Sequence, residues 1–225
     1  MSRAVLLDTE TTGLDPDRGH RMIEVAAIEL LNDLPTRASF HQLIYPERDV
    51  PEDATRIHGF TAAHLFGKPL FAEIVDELLD FIRDDPLIAH NAPFDFAFLN
   101  AELARLGRAP LHASRMIDTL ELAKTRFPGL PNSLDALCRR FTIDLSARTM
   151  HNALLDCRLL ADVYVELIGG RQRGLLLTTD TVSLPVAVYA YNRERIPRLI
   201  IPAETELHAH AAFIARLRDP VWALP

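Results

Sequence analysis

The chain has 225 residues, enough for one well-buried domain with an appendage and short of two full domains. Apolar residues make up 48% and charged residues 24%, an ordinary globular balance, and no apolar run approaches the roughly 18 residues of a membrane span. The formal net charge of -7 argues against a protein that grips nucleic acid through a broad basic face of its own. Three readings remain: no nucleic-acid ligand, brief binding through metals, or a partner that holds the nucleic acid. The charge is uneven. Residues 1–170 carry 17 Lys+Arg against 26 Asp+Glu, whereas residues 171–225 carry 7 against 5, which sets the last 55 residues apart.

The first ten residues hold a short apolar patch that runs into Asp8 and Glu10. It lacks the longer apolar core and small-residue cleavage site of a signal peptide, so the expectation is a cytoplasmic protein with no membrane partner. Residues 4–7 suit a buried strand ending at Asp8. Residues 22–30 and 38–45 suit two more, with Asn32, Asp33 and Pro35 as turn chemistry between them. Phe71, Ile74, Val75, Leu78, Leu79 and Ile82 recur at helical spacing until Pro86. A short strand at 87–89 precedes a helix over 92–106, with Asn91 as N-cap and Gly107 as stop. Met116 and Ile117 form a small strand, and helices fit 119–126, 133–141 and 152–168, the last ended by Gly169-Gly170. Cys138 and Cys157 fall in the last two of these helices and read as buried thiols. Strands first, then strands alternating with helices, predict an α/β fold with a mixed central sheet and helices packed on it.

In such sheets active sites form at the carboxyl ends of strands, and the first strand ends in Asp8-Thr9-Glu10. Residues i and i+2 of a strand point the same way, so Asp8 and Glu10 project together. Two close carboxylates are costly without a cation, and hard oxygen ligands favour magnesium or manganese. A second segment, His90-Asn91-Ala92-Pro93-Phe94-Asp95, puts Asp95 in the first turn of a helix that follows a strand. A third, His151-Asn152-Ala153-Leu154-Leu155-Asp156, puts His151 just ahead of a helix and Asp156 about one and a half turns further on. Four carboxylates can hold two divalent ions about 4 Å apart for phosphodiester hydrolysis, and a histidine suits deprotonation of the attacking water.

Asp-x-Glu, Asn-x-x-Phe-Asp and His-x4-Asp, in that order, resemble the DEDDh 3′→5′ exonucleases over residues 3–170. The resemblance implies a ribonuclease-H-like fold, two Mg2+ or Mn2+ ions, and catalytic roles for Asp8, Glu10, Asp95, His151 and Asp156. Asp8 would bridge both metals, Glu10 and Asp156 would complete the tighter site, Asp95 would serve the second metal or its water, and His151 would be the general base. Asp8-Thr9-Glu10-Thr11-Thr12-Gly13, His58-Gly59, Phe127-Pro128-Gly129 and Asn132-Ser133-Leu134-Asp135-Ala136-Leu137-Cys138 are similar to one branch, the epsilon proofreading subunits of bacterial DNA polymerase III. That branch implies a bacterial protein acting on single-stranded or frayed DNA 3′ ends, with the polymerase III alpha subunit as partner. Thr9, Thr11, Thr12, Leu14, His58, Asn91 and Phe94 match positions that bind the terminal nucleotide. A DEDDh exoribonuclease trimming RNA ends, or a non-catalytic subunit that keeps the fold, are the rival readings.

Other polar residues have plainer readings. His90 packs the end of a strand, Asp118 and Asp135 are caps or first-turn acids, and His208 and His210 are solvated. After the domain at 1–170 comes a linker at 171–179 in which Gln172, Leu175, Leu176 and Leu177 resemble a sliding-clamp-binding peptide. Residues 180–225 form a C-terminal tail that resembles a polymerase-binding segment, with a strand-like run at 186–191, an apolar run at 198–201 and a helix-compatible stretch at 204–217.

Overall fold

The computed structural model describes residues 2–148, 150–169 and 201–218. Contacts divide the chain into two compact units, Met1–Leu176 and Leu177–Pro225. In the first unit, strand β1 spans Arg3–Thr11 and is built around the fully buried run Val5, Leu6 and Leu7. It continues past the apolar run because β2, Met22–Leu31, keeps pairing with it: Asp8 lies opposite Ala26, Thr9 opposite Val25 and Glu10 opposite Glu24. The β-branched Thr9 and Thr11 suit this extension. Strand β3, Leu34–Leu43, returns through a tight turn at Asn32 (φ 51°) and Asp33 (φ 67°), two residues that tolerate the left-handed backbone a short hairpin demands. It begins four residues earlier than expected and contains Pro35, which an edge strand accommodates.

Two short helices, α1 (Glu52–His58) and α2 (Ala62–Leu65), have no counterpart in the sequence-based expectation, being too short to show a helical period. Helix α3, Phe71–Ile82, buries Phe71, Ile74, Val75, Leu78 and Ile82, each contributing roughly 1.5–3 kcal/mol of apolar burial. The parallel half of the sheet follows as β4 (Leu87–Ala89), α4 (Ala92–Arg105) and β5 (Met116–Asp118). Helices α5 (Thr119–Arg126), α6 (Leu134–Phe141) and α7 (Ala153–Leu167) complete the unit. The second unit contains α8, Glu204–Ile214, somewhat shorter than expected; His208 and His210 on it are exposed. Gln172, Leu175, Leu176 and Leu177, the strand-like run at 186–191 and most of the run at 198–201 lie outside the described residues.

The five strands stand in the order β3-β2-β1-β4-β5, with β1 antiparallel to β2 and parallel to β4, so the sheet is mixed. Alternation along β1 serves two cores. Val5 and Leu7 join Phe71, Leu78, Phe98 and Leu99 from α3 and α4. Leu6 joins Ala26, Ile88, Leu137, Cys157 and Leu160 beneath α6 and α7. Small residues Ala26 and Ala153 let α7 lie close, and the buried Cys157 Sγ comes within 3.5 Å of the Ala26 carbonyl. Both cysteines are free and buried. The carboxyl ends of β1 and β4 and the starts of α4 and α7 therefore converge at one edge of the sheet.

Candidate active site

Asp8 and Glu10 share the side of β1 that Leu6 presents to α7, whereas Thr9 lies on the α4 side. Asp156 sits in the first turn of α7, which Asn152 caps by accepting from Leu155 N at 3.1 Å. His151 immediately precedes that cap, and its N–H donates to the carbonyl of Ile57 at the end of α1, 3.2 Å away. Ligand atoms of Glu10, His151 and Asp156 lie within 4.8 Å of one another, the group among the described residues suited to hold a metal ion. Asp95 reaches the same edge from α4, held by the Thr9 hydroxyl, which donates to its Oδ1 at 2.8 Å. Its side chain is buried but is not part of that compact group.

Burial and mutual repulsion disturb these acids. Asp8 is pushed well above the ordinary aspartate range by burial, then by the charges of Asp95, Glu10, Asp156 and Glu24. Glu10 is raised to about 8, by burial first and then by Asp156, Glu24 and Asp95. Asp95 rises to about 7 through burial, against the lowering effect of its bond from Thr9. Carboxyls that resist ionising alone are what a divalent cation would relieve, so the donor set fits such an ion. His151 is shifted the other way, below its usual value, by burial and then by Arg148. It is thus neutral near pH 7, with its ring nitrogens 3.1 and 3.4 Å from Arg148 Nη2.

Two residues that the sequence reading missed organise this edge. Glu24 on β2 is fully buried; its carboxylate accepts from Asn152 Nδ2 at 2.9 Å, Ala153 N at 3.0 Å and His41 Nε2 at 2.7 Å. An acid at a helix N-terminus is favoured by the aligned peptide dipoles, and here it also ties α7 to the sheet. Its position opposite Glu10 was the available signal, but only the strand register reveals it. Arg148 donates through Nε and Nη2 to the two oxygens of Asp156 at 2.6 and 2.7 Å, and through Nη1 to Asp135 at 2.6 Å. A single arginine three residues before His151 carries no motif of its own.

Beside the acids lies a cavity of about 470 Å3 lined by Thr9, Glu10, Thr11, Thr12, Leu14 and His58, with Phe94 on the α4 side. The three threonine hydroxyls are turned inward. Thr9 donates to Asp95, Thr11 donates to the Gly13 carbonyl at 2.6 Å, and Thr12 Oγ1 accepts from Arg21 N at 3.0 Å. The His20 ring covers Gly13 so closely that a Cβ there would meet ring atoms at 2.3–2.6 Å, which explains that glycine. His58 is buried, stacks on Phe60, and accepts from Phe60 N on Nδ1 at 3.0 Å. In the neutral ring Nε2 then carries the hydrogen, and it has no partner among the described residues. Leu14 is 82% exposed at the rim, and Phe94 packs on Phe98 with centroids 5.0 Å apart and the rings tilted by 48°.

Asn91 holds the N-cap position of α4 as expected, but not by side-chain capping. Its backbone is left-handed (φ 70°) and its side chain makes no capping bond; it is exposed and is not among the cavity-lining residues. Its N–H instead takes a bond to Asp118 Oδ1 at 2.9 Å, the oxygen that also caps α5. His90 behaves as a packing residue, with Nδ1 2.9 Å from Thr119 Oγ1. Asp118 is a cap as expected, whereas Asp135 is both a first-turn acid and a partner of Arg148.

A mixed sheet carrying clustered acids and a neutral histidine beside a nucleotide-sized cavity defines a nuclease of the ribonuclease-H-like class. The family model described as Exonuclease matches residues 5–164. The fold is similar to Exonuclease X in complex with 5′ overhanging duplex DNA, at 25% identity and a TM-score of 0.59 over 75% of this chain and 91% of that one. It is also similar to the nuclease domain of 3′hExo, a DEDDh family member, at 19% identity and a TM-score of 0.63 over 74% and 92%. The DNA polymerase III subunit epsilon of Rickettsia felis is 48% identical over 221 residues, 96% of each chain, and that of Escherichia coli K12 is 42% identical over 178 residues, 76% of this chain and 73% of that one. The chain belongs to the epsilon subunit family of DNA polymerase III and carries its 3′→5′ proofreading exonuclease domain. The family uses divalent metals, and the acidic residues here could hold them. No helix among the described residues is long and apolar enough to cross a membrane.

Proposed function

We propose that the site removes deoxynucleoside monophosphates from single-stranded or frayed DNA 3′ ends in association with the polymerase III alpha subunit. The observation that carries this reading is the meeting of Glu10, Asp156 and His151 within 4.8 Å, with Glu10 also lining the cavity. Asp8, Glu10 and Asp156 would hold a divalent ion, with Asp95 serving a second. When bound, Mg2+ or Mn2+ supplies Lewis-acid charge at the scissile phosphate and lowers the pKa of water.

The chain's own residues do the rest. Leu14 and Phe94 flank the terminal base, and His58 presents its Nε2 hydrogen to a polar atom of the nucleotide. His151, neutral and held by its backbone N–H bond to Ile57, takes a proton from the attacking water at a ring nitrogen. The water oxygen bonds to phosphorus as the bond to the 3′ oxygen of the preceding nucleotide breaks. The products are a nucleoside 5′-monophosphate and a shortened strand with a free 3′ hydroxyl. The net negative charge suits an enzyme delivered to DNA by its partner, since tethering raises effective concentration without strong intrinsic affinity. Residues 180–225 are the segment assigned to the polymerase, residues 171–179 to a sliding clamp, and the cytoplasm is the compartment.

The test is degradation of a single-stranded DNA oligonucleotide, with Mg2+ or Mn2+ against EDTA, beside RNA of the same sequence. Metal-dependent shortening of DNA well ahead of RNA is expected; faster loss of RNA would move the reading to a trimming exoribonuclease. A chain ending at residue 179 should keep cleavage and lose co-elution with purified alpha subunit; retained co-elution would refute the tail assignment.

A further inference from the structure

The Arg148 side chain is only 9% exposed, yet it bridges two acids on different helices, Asp135 on α6 and Asp156 on α7. Both oxygens of Asp156 accept from it, and Nη2 also lies 3.1 Å from His151 Nδ1. Two members of the compact metal-suited group, Asp156 and His151, are thus engaged by one guanidinium. Such a fork matches a carboxylate in both charge and shape. A dication brought to the same carboxylate would meet a buried positive charge at contact range, where repulsion is weakly screened.

We propose that Arg148 is an internal counter-ion that holds Asp156 and His151 in the metal-free protein and competes with the divalent ion for Asp156. Metal entry requires the guanidinium to give up at least one oxygen of that carboxylate. Asp135, whose side chain is 39% exposed, is the partner on which the displaced guanidinium remains anchored. Arg148 is therefore a positioning residue with two settings, one bridging Asp135 and Asp156 and one resting chiefly on Asp135. Asp156 is paired in both settings, with arginine before loading and with metal after it. This inference rests on the divalent-metal reading of the site.

The experiment measures Mn2+ binding to the full chain by calorimetry or by the electron paramagnetic resonance signal of free Mn2+, together with thermal unfolding in EDTA. Arg148→Met removes the charge and keeps much of the bulk. It is expected to bind Mn2+ roughly ten-fold more tightly than wild type and to unfold about 5 °C lower in EDTA, the deficit closing when Mn2+ is added. Arg148→Lys keeps the charge without the fork, so its Mn2+ affinity should stay within about two-fold of wild type. Unchanged or weaker Mn2+ binding by Arg148→Met would overturn the competition, as would unaltered unfolding in EDTA. Wild-type protein that binds no Mn2+ would overturn the divalent-metal reading itself, a result separable from the first two.

Discussion

On the α7 side of the cleft, Arg148 binds Asp156 and His151 while Glu24 binds Asn152 and Ala153, so that side is held by charges and hydrogen bonds. On the other side, Leu14, Ile57, His58 and Phe94 wall a mainly apolar cavity, where the threonine hydroxyls are spent on the protein's own backbone and on Asp95. The first side is fixed by electrostatics and the second by shape. Substitutions should therefore separate the two, with turnover and pH response belonging to the charged side and substrate affinity to the cavity.

The sharpest break is expected from Asp156→Ala, which should lower kcat about 10³-fold or more while KM for single-stranded DNA stays within a few-fold; near-normal turnover would remove Asp156 from the chemistry. Glu24→Ala removes the acceptor of two donors at the start of α7 and of His41 on β3. It should cost about 3 kcal/mol of stability by urea unfolding, and a loss under about 0.5 kcal/mol would show that α7 is seated by its apolar face alone. Phe94→Ala should raise KM about ten-fold with kcat little changed. A fall in kcat with constant KM would erase the distinction between the two sides.

A further expected effect is in pH. Glu10 is raised to about 8 from 4.5 and Asp95 to about 7 from 3.8, so the folded metal-free protein keeps protons that the unfolded chain has released. The unfolded state binds fewer protons across that window, so stability falls as pH rises from about 5 to about 8. Melting temperatures in EDTA should decline by about 10 °C or more over this range, and saturating Mn2+ should flatten the slope. A level profile in EDTA would mean that the acids ionise without strain.

Much of the site was legible in the chain because its signals are local. Asp8 and Glu10 are two residues apart in a strand, and His151 and Asp156 flank a helix start that Asn152 caps. The amphipathic pattern of α3 announced itself in the same way. Asn91 was legible as the N-cap of α4, but its left-handed backbone, its lack of a capping side-chain bond and the bond from its N–H to Asp118, 27 residues away, were not. Helices α1 and α2 were invisible for a different reason: four to seven residues do not complete enough turns to show a period.

The sequence by itself determined the strand-helix alternation, the identity of the five acid and histidine positions, and the family to which they belong. It could do so because hydrophobic period and motif spacing are properties of neighbours along the chain. Only the tertiary structure decided that Glu24 seats α7 from across the sheet, that the threonine hydroxyls face inward, and that Arg148 lies on Asp156. Those facts depend on strand register and helix docking, which bring together residues as far apart as Glu24 and Asn152. Buried charges choose their partners only after folding has withdrawn the water that would otherwise satisfy them.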